Sequence, residues 1–267
     1  MTQLLPTRSV AKPWGKDNLP APFTAPAGER IGEVWFEPPP DLPQLLVKYI
    51  FTSEALSVQV HPSDAQLPGH GKEECWLVVA AEPGARLGIG FIRTVSAAEM
   101  RAAALDGSIE ALLKWHAVSP GDFFYIPANT VHAIGAGISL IEVQQNSDIT
   151  YRLYDYGRPR ELHLDEGLRV ARRETYPAQW RSHLPEHGPA MLVDGPLFRL
   201  DRLDGPADAA TAARYGGAPL LVIPRSTGVS LGDRVIGTGE CGLAYSLDDL
   251  EMSEGAKCLI AQPCVLD

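Results

Sequence analysis

Two histidines, a glutamate and a glutamine stand at positions from which one metal ion could reach all four. Gln59 and His61 are two residues apart in an apolar run, so on a strand their side chains leave the same face. Glu74 begins a second apolar run, and His132 follows a turn. Imidazole nitrogens with carboxylate and amide oxygens, and no thiolate, suit a catalytic divalent metal better than a structural one. Surface histidines and an ordinary strand glutamate are the alternative for each residue alone.

The composition is that of a globular chain with a sizeable core. The chain has 267 residues, of which 45% are hydrophobic and 21% charged, enough for one large domain or two small ones. The net charge of −10 argues against non-specific nucleic-acid binding, which needs a basic surface. A few local lysines and arginines can still bind a phosphate within an acidic protein.

The sequence predicts a soluble protein of the cytoplasm. The four cysteines match no zinc framework, and their low density is typical of reduced thiols. The N-terminal residues lack the apolar core of a signal peptide. No apolar run reaches the roughly 18–20 residues of a membrane span. We expect no nucleic-acid or membrane partner, and either a monomer or a homodimer.

Short β-type runs recur along the chain, each closed by turn residues. They predict strands at 32–36, 45–51, 56–61, 75–80, 86–92, 122–126, 138–144 and 149–154, and then at 190–193, 197–203, 219–223, 227–230, 241–246 and 256–262. Ser96 to Trp115 is the one clear helical interval, with Ser96 as N-cap, Glu99 completing a capping box and Gly107 dividing it. Residues 165–187 are polar and predict a connector.

The spacing Gly121-x5-Pro127-x-Asn129-x2-His132 refines the fold prediction. A strand that ends at proline, a tight turn and an inward-facing histidine are close to the second sequence motif of cupins, which are jelly-roll barrels with a metal in the mouth. Asn129 replaces the usual glycine, and asparagine is the next best residue at a positive-φ turn position. We predict an all-β fold of tandem cupin jelly-roll barrels, with a short helical insertion near 96–115. The first spans 1–187 and holds the metal, and the second spans 188–267 without one.

The chain resembles the type I mannose-6-phosphate isomerases (phosphomannose isomerases), in particular their short bacterial form. The resemblance runs through the motifs at 12–15, 28–35, 57–64, 71–76, 120–134 and 141–158. These separate motifs occur in the right order up to about residue 165, and the resemblance is thin afterwards.

The resemblance implies a zinc-dependent interconversion of mannose 6-phosphate and fructose 6-phosphate through an enediol(ate). It implies one zinc ion per chain, bound by Gln59, His61, Glu74 and His132. It places the catalytic groups at Lys72, Glu142, Asp148 and Arg152. It places the contacts with the phosphosugar substrate at Ser57, Lys72, Arg152 and Arg158. Longer relatives have a histidine where this chain has Gly71, so the proton-transferring base stays open.

Pattern alone leaves other roles open for these residues. Arg152 and Arg158 could be surface arginines, Glu142 could lie on a solvated face, and Lys72 could be an exposed turn lysine. Two other functions are a metal-dependent cupin dioxygenase and a non-catalytic sugar-phosphate-binding cupin. A dioxygenase would prefer iron and histidine-dominated ligands, so Gln59 argues against it. The complete ligand set with Arg152 argues against the second.

Overall fold

The computed structural model describes residues 2–264 and consists mainly of antiparallel β-strands. The strands are, in chain order, β1 (Gln3–Leu4), β2 (Thr7–Lys16), β3 (Ile31–Phe36), β4 (Leu45–Phe51), β5 (Val58–Val60), β6 (Glu74–Ala81), β7 (Arg86–Phe91), β8 (Leu113–Ala117), β9 (Asp122–Ile126), β10 (His132–Ile134), β11 (Ile138–Gln145), β12 (Tyr151–Tyr154), β13 (Arg181–His183), β14 (Ala190–Asp194), β15 (Phe198–Asp204), β16 (Leu220–Pro224), β17 (Val229–Leu231), β18 (Arg234–Ile236), β19 (Gly242–Ala244), β20 (Leu250–Met252) and β21 (Lys257–Pro263). The helices are α1 (Ala97–Asp106), α2 (Ile109–Leu112), α3 (Leu164–Val170) and α4 (Ala209–Tyr215), with 3₁₀ turns at Ala178–Trp180 and Leu247–Asp249.

The sheets stack in layers. A five-stranded sheet, in the order β12-β5-β10-β7-β8, packs on a seven-stranded sheet, β13-β9-β6-β11-β4-β3-β2. The other face of the seven-stranded sheet packs on a six-stranded sheet, β1-β19-β16-β21-β15-β14, which in turn packs on a three-stranded sheet, β18-β17-β20. Helices α1, α2 and α3 cover the outer face of the five-stranded sheet. The all-β tandem-barrel prediction is confirmed.

The central position of the seven-stranded sheet explains its sequence. All seven residues of β4 are buried, because both faces of this strand lie against another layer. A strand buried on both faces is a continuous apolar run rather than an alternating one. The exceptions are Lys48 in β4 and Glu142 and Gln144 in β11, which are buried polar residues in register with that run. They lie on the face that forms the candidate site.

The helical insertion agrees with the sequence at its start and differs at its end. Ser96 Oγ accepts a hydrogen bond from the Glu99 backbone N–H at 3.1 Å, and Gly107 ends α1 at φ 84°. The Glu99 carboxylate pairs with Arg93 instead of completing the capping box. The helical prediction is wrong from Leu113 onward, because β8 pairs with β7 there and extends the sheet.

The predicted connector contains two regular elements, so that prediction is also wrong. Helix α3 packs on β12, and Gly167 lets the backbones approach, since a Cβ there would lie 2.5 Å from Leu153 Cδ2. Strand β13 pairs with β9 at the edge of the seven-stranded sheet. No helix in residues 2–264 has the length and apolar character needed to cross a membrane.

Strand β1 belongs to the six-stranded sheet, whose other strands all come from the second half of the chain. Gln3 and Leu4 pair with Leu243 and Gly242 in the six-stranded sheet, before β2 enters the seven-stranded sheet. A core cluster of residues from both halves fills the space between these sheets. A domain boundary at 187/188 stays a prediction.

Candidate active site

Neighbouring strands bring the two predicted histidine ligands together. Gln59 in β5 is the register partner of His132 in β10, and His61 follows one residue after β5. His61 Nδ1 lies 2.8 Å from the carbonyl oxygen of Ile149, and His132 Nδ1 lies 2.9 Å from that of Thr130. When Nδ1–H donates to a carbonyl, Nε2 keeps its lone pair, which is the usual arrangement of a metal-binding histidine.

Glu74 brings a carboxylate to both imidazoles. Its Oε2 lies 3.6 Å from His61 Nε2 and its Oε1 lies 3.4 Å from His132 Nε2. All three side chains are buried, and within residues 2–264 His61 Nε2 and Glu74 Oε1 have no hydrogen-bond partner. Ligand atoms ~2.0–2.2 Å from a tetrahedral metal ion are about 3.3–3.6 Å from one another. The three residues therefore fit a divalent cation, and sequence reasoning located all of them.

Gln59 lies beside this group, and its side-chain amide forms a hydrogen bond with Ser57. Its Nε2 is 3.3 Å from His132 Nε2, and its Oε1 accepts a hydrogen bond from Ser57 Oγ at 3.0 Å. In this orientation the nitrogen faces the histidine, and a 180° rotation of the terminal amide exchanges it with the oxygen. Metal binding by Gln59 Oε1 stays a prediction.

A series of buried charges extends from Glu74. Lys72 Nζ lies 2.9 Å from Glu74 Oε2 and 3.8 Å from Glu142 Oε1. Lys48 Nζ donates to Glu142 Oε1 at 3.0 Å, and Trp76 Nε1 donates to Glu142 Oε2 at 2.8 Å. Glu142 and Lys72 are only 3% and 5% exposed, which rules out the solvated-face and exposed-turn alternatives for them.

Burial and charge determine the protonation states of this group. Burial lowers the pKa of both metal-site histidines, so they are neutral, the form that binds a metal. Burial raises the pKa of Glu74 to about 7, although Lys72 opposes the shift. Burial also favours the neutral form of Glu142, but Lys48 and Lys72 outweigh it and lower its pKa to about 2. Glu74 is thus the carboxylate whose ionised form a bound cation would stabilise.

A cavity of about 320 Å³ opens above Gln59 and Lys72. Its ionisable lining consists of five cationic side chains and three carboxylates: Lys12, Lys48, Lys72, Arg152, Arg160, Glu33, Glu142 and Asp148. Ser57 also lines the cavity, and Asp148 is an exposed residue in its wall. The local excess of positive charge in a chain of net charge −10 favours an anionic ligand.

The segment after β12 holds Arg152 in the cavity wall. Arg152 Nη1 donates to the carbonyl of Glu161 at 2.6 Å. Arg160 also lines the cavity, and its Nε and Nη2 each donate to the Asp155 carboxylate at 2.6 Å.

Arg158, by contrast, is turned away from this cavity. Its guanidinium donates to Asp155, to Glu54 and to the carbonyl of Ala55. The structure therefore does not bring Arg158 to the predicted substrate position. Arg160, two residues further on, lies in the wall instead.

Sequence reasoning missed Lys48 and Arg160. Lys48 carried a usable signal, because it is the one charge in the apolar run from Leu45 to Phe51, and a buried lysine needs a partner. Arg158 and Arg160 stand in the same polar segment, and nothing in the local pattern distinguishes the arginine that faces the cavity.

The sequence matches curated relatives over about half of its length, although no family model matches the chain. Mannose-6-phosphate isomerase ManA of Bacillus subtilis is 41% identical over 150 residues, which cover 52% of this chain and 47% of the relative. Mannose-6-phosphate isomerase of Streptococcus mutans is 43% identical over 136 residues, 47% of this chain and 43% of the relative. The chain is related to the mannose-6-phosphate isomerases. The match spans about half the length of these relatives.

Solved structures share the fold over nearly the whole chain. The mannose 6-phosphate isomerase of Bacillus subtilis has a TM-score of 0.75 at 23% identity, covering 97% of this chain and 98% of its own. A mutant of the phosphomannose isomerase of Salmonella typhimurium has a TM-score of 0.73 at 12% identity, covering 99% and 100%. This likeness confirms the predicted cupin fold.

Proposed function

We propose that the chain is a metal-dependent aldose–ketose isomerase that interconverts mannose 6-phosphate and fructose 6-phosphate. The observation that carries this proposal is the His61–Glu74–His132 group, which contacts Gln59 and Lys72 in the wall of a cavity with excess positive charge. A cation site in a cupin barrel fits many functions, and the isomerase name of the curated relatives selects among them. We propose zinc as the metal, since imidazole and carboxylate ligands with an open position suit it.

The phosphate end of the substrate would bind the cationic side of the cavity. Lys48, Arg152 and Arg160 all line it, and charge-assisted hydrogen bonds from such groups are the strong contacts for a phosphate. The volume of about 320 Å³ is at the lower end of small-molecule sites. A single phosphosugar suits this size.

The reaction moves a proton between C1 and C2 through an enediolate with negative charge on oxygen. Zinc, when bound, supplies Lewis-acid polarisation of the carbonyl. Arg152 would stabilise the developing oxyanion from the cavity wall, because its guanidinium keeps its charge throughout. Ser57 holds the Gln59 amide and lies where it can contact the substrate.

We propose that Glu142 has a supporting part in proton transfer. Both of its oxygens already accept hydrogen bonds, from Lys48 and from Trp76, so it holds the lysine head groups in place. Lys72 and Asp148 then remain as the candidates for proton transfer. Lys72 would donate to a substrate oxygen, and Asp148, whose carboxylate is exposed in the cavity wall, would take the proton from carbon and return it.

A coupled assay for fructose 6-phosphate formed from mannose 6-phosphate tests the proposal. We expect turnover by the purified chain, loss of turnover after chelation, and recovery when zinc is returned. The control is the His187→Ala variant, whose exposed histidine lies outside the site. No turnover by a chain that holds one zinc ion would contradict the isomerase assignment.

We also propose that the enzyme acts in the cytoplasm on a small-molecule substrate, as a monomer or homodimer. All four cysteines are free thiols, as expected in a reducing compartment. Light scattering of the purified chain decides between the two oligomeric states.

A further inference from the structure

A second cavity lies at the junction of the seven-stranded and six-stranded sheets, away from the metal site. Its volume is about 370 Å³. Leu77 and Val79 of β6 form one wall, and segment 183–186 forms a second. The six-stranded sheet contributes three cations, Arg202 from β15, Arg225 just after β16 and Lys257 at the start of β21. We refer to these three residues as the junction cations.

The register of the six-stranded sheet places the junction cations on one face. Arg202 pairs with Leu259, and Lys257 is two residues before Leu259 on the same strand. Ile223 also pairs with Leu259, and Arg225 follows it by two. Because side chains alternate along a strand, all three cations leave the face that meets the seven-stranded sheet.

Hydrogen bonds hold the junction cations in place without neutralising them. Arg202 donates to the carbonyls of Pro185 and Gly188, Lys257 Nζ donates to the carbonyl of Glu186 at 2.7 Å, and Arg225 Nη1 donates to Tyr49 Oη at 3.2 Å. These acceptors are all uncharged, and within residues 2–264 none of the three cations forms an ion pair.

Arg202 is buried with carbonyl oxygens, and no carboxylate, as its hydrogen-bond acceptors among the described residues. This residue is only 6% exposed, and its Nε has no hydrogen-bond partner among the described residues. Burial lowers the pKa of Arg202, and the nearby Asp204 carboxylate opposes this shift. Arg214 in the same half is instead paired with Asp194 and Asp201.

Two carboxylates are nearby, Glu186 in the cavity lining and Asp204 opposite Lys257. Glu186 pairs with His187, Asp204 accepts a hydrogen bond from the Gly188 backbone N–H, and in the described part of the chain neither forms an ion pair with a junction cation. Three cations against these two carboxylates leave a net positive charge that favours an anion.

We propose that this junction cavity is a second anion-binding site, which takes the phosphate group of a small metabolite. Arginine and lysine head groups converge there as they do in phosphate sites. The apolar wall from β6 suits the carbon part of a phosphate ester. A bound ester contacts both barrels, because the cations belong to the six-stranded sheet and the wall to the seven-stranded one.

Calorimetric titration of the zinc-loaded full chain with inorganic phosphate, and separately with glycerol 3-phosphate, tests this site. The variant is Arg225→Gln/Lys257→Gln, and the control is Lys114→Gln/Arg234→Gln, which removes the same charge from two exposed positions. We expect one binding event to weaken at least about tenfold in the variant, from the loss of two charge-assisted contacts, and to persist in the control. The active-site cavity is intact in all of these proteins, so its own phosphate binding cancels in the comparison.

The two probes distinguish the source of the phosphate. Tighter binding of glycerol 3-phosphate supports an ester as ligand, and equal binding supports free phosphate at the same site. Unchanged titrations in the Arg225→Gln/Lys257→Gln variant, or an equal loss in the control, would overturn the proposal. If the double variant does not fold, the single variant Lys257→Gln, whose side chain is half-buried, is compared with Lys114→Gln in the same titrations.

Discussion

The two barrels differ in how many charged side chains they bury. The space between the five-stranded and seven-stranded sheets holds His61, Glu74, Lys72 and Glu142 among its apolar side chains, all of them nearly inaccessible to solvent. The space between the six-stranded and three-stranded sheets is lined by leucine, valine and isoleucine, with Tyr215 at its centre. Burying charge costs several kcal/mol per ion unless partners compensate it. The second half of the chain also buries charge at Asp201 and Arg202, but Asp201 pairs with Arg214, and no group of metal-ligand residues forms there among the described residues.

A helix accounts for much of this difference. Asp208 Oδ1 accepts a hydrogen bond from the Thr211 backbone N–H at 2.7 Å and starts α4, which carries Tyr215 into the second barrel. Tyr215 Oη donates to the carbonyl of Ile260 at 3.0 Å, which satisfies its one polar group. In the first barrel, helices α1, α2 and α3 lie on the outer face of the sheet, so the interior stays open to the cavity.

The largest effect should come from removing the two histidines, because the first barrel would then be as metal-free as we predict the second to be. We expect His61→Ala/His132→Ala to lose its zinc and to show only background turnover. Even residues that merely orient a ligand are worth about 10–100-fold in metal affinity. Metal analysis by mass spectrometry is the measurement, with exposed His187→Ala as control. Full zinc retention in the double variant would remove these histidines from the site.

A substitution that creates a cavity in the second barrel tests whether this barrel contributes packing stability. Leu220 is fully buried in β16, and Leu220→Ala should lower the free energy of unfolding by about 2–5 kcal/mol, from lost burial plus the cavity left behind. Zinc content and kcat should remain at wild-type values. Urea unfolding measures the loss, and Val235→Ala, at a side chain that is 73% exposed, is the control. A fall in kcat with unchanged stability would show that the second barrel takes part in the chemistry.

Arg152 and Arg158 allow a matched test within the first barrel, because Arg152 lines the cavity and Arg158 does not. We expect Arg152→Ala to lower kcat at least about a hundredfold, the scale of losing one preorganised oxyanion donor, with zinc content unchanged. Arg152→Lys should restore only part of the loss, because an ammonium lacks the planar fork.

Arg158→Ala is the matched control in steady-state kinetics, and its kcat should stay close to wild type, since Arg158 is turned away from the cavity. A raised KM with normal kcat in Arg152→Ala would make Arg152 a phosphate anchor only. An effect of Arg158→Ala as large as that of Arg152→Ala would restore Arg158 to the site.

The smallest expected effect concerns the turn that delivers His132. Asn129 has φ 73°, and its Nδ2 donates to the carbonyl of His61 and to Gln66 Oε1. Asn129→Ala should lower the free energy of unfolding by about 1–2 kcal/mol, because alanine lacks the local side-chain hydrogen bonds that let asparagine adopt a left-handed conformation. Asn129→Gly keeps the backbone conformation and isolates the amide contacts. Urea unfolding of both should find the alanine variant less stable, because both lose the amide contacts and only alanine adds backbone strain. Equal losses of stability in the two variants would mean that the amide contacts, and not the backbone conformation, account for the effect.

Much of the site was predictable because its signals are local. The Gln59–His61 pair follows from strand alternation, and the position of His132 follows from a proline, a turn and an asparagine within six residues. The N-cap at Ser96 and the stop at Gly107 are also short-range, and both were confirmed. The end of the helical segment was missed because Leu113 to Ala117 pair with β7, which is a tertiary contact that overrides local propensity.

The sequence by itself determined the ligand types, the turn that places His132 and the recurrence of short strands, because each depends on residues a few positions apart. Only the tertiary structure decided which charges share a cavity. Lys48 meets Glu142 across 94 positions of sequence, Arg160 rather than Arg158 faces the cavity, and the junction cations come together from three strands. Sheet register and layer packing create these contacts, and their free energy depends on burial and on partners that no local pattern specifies.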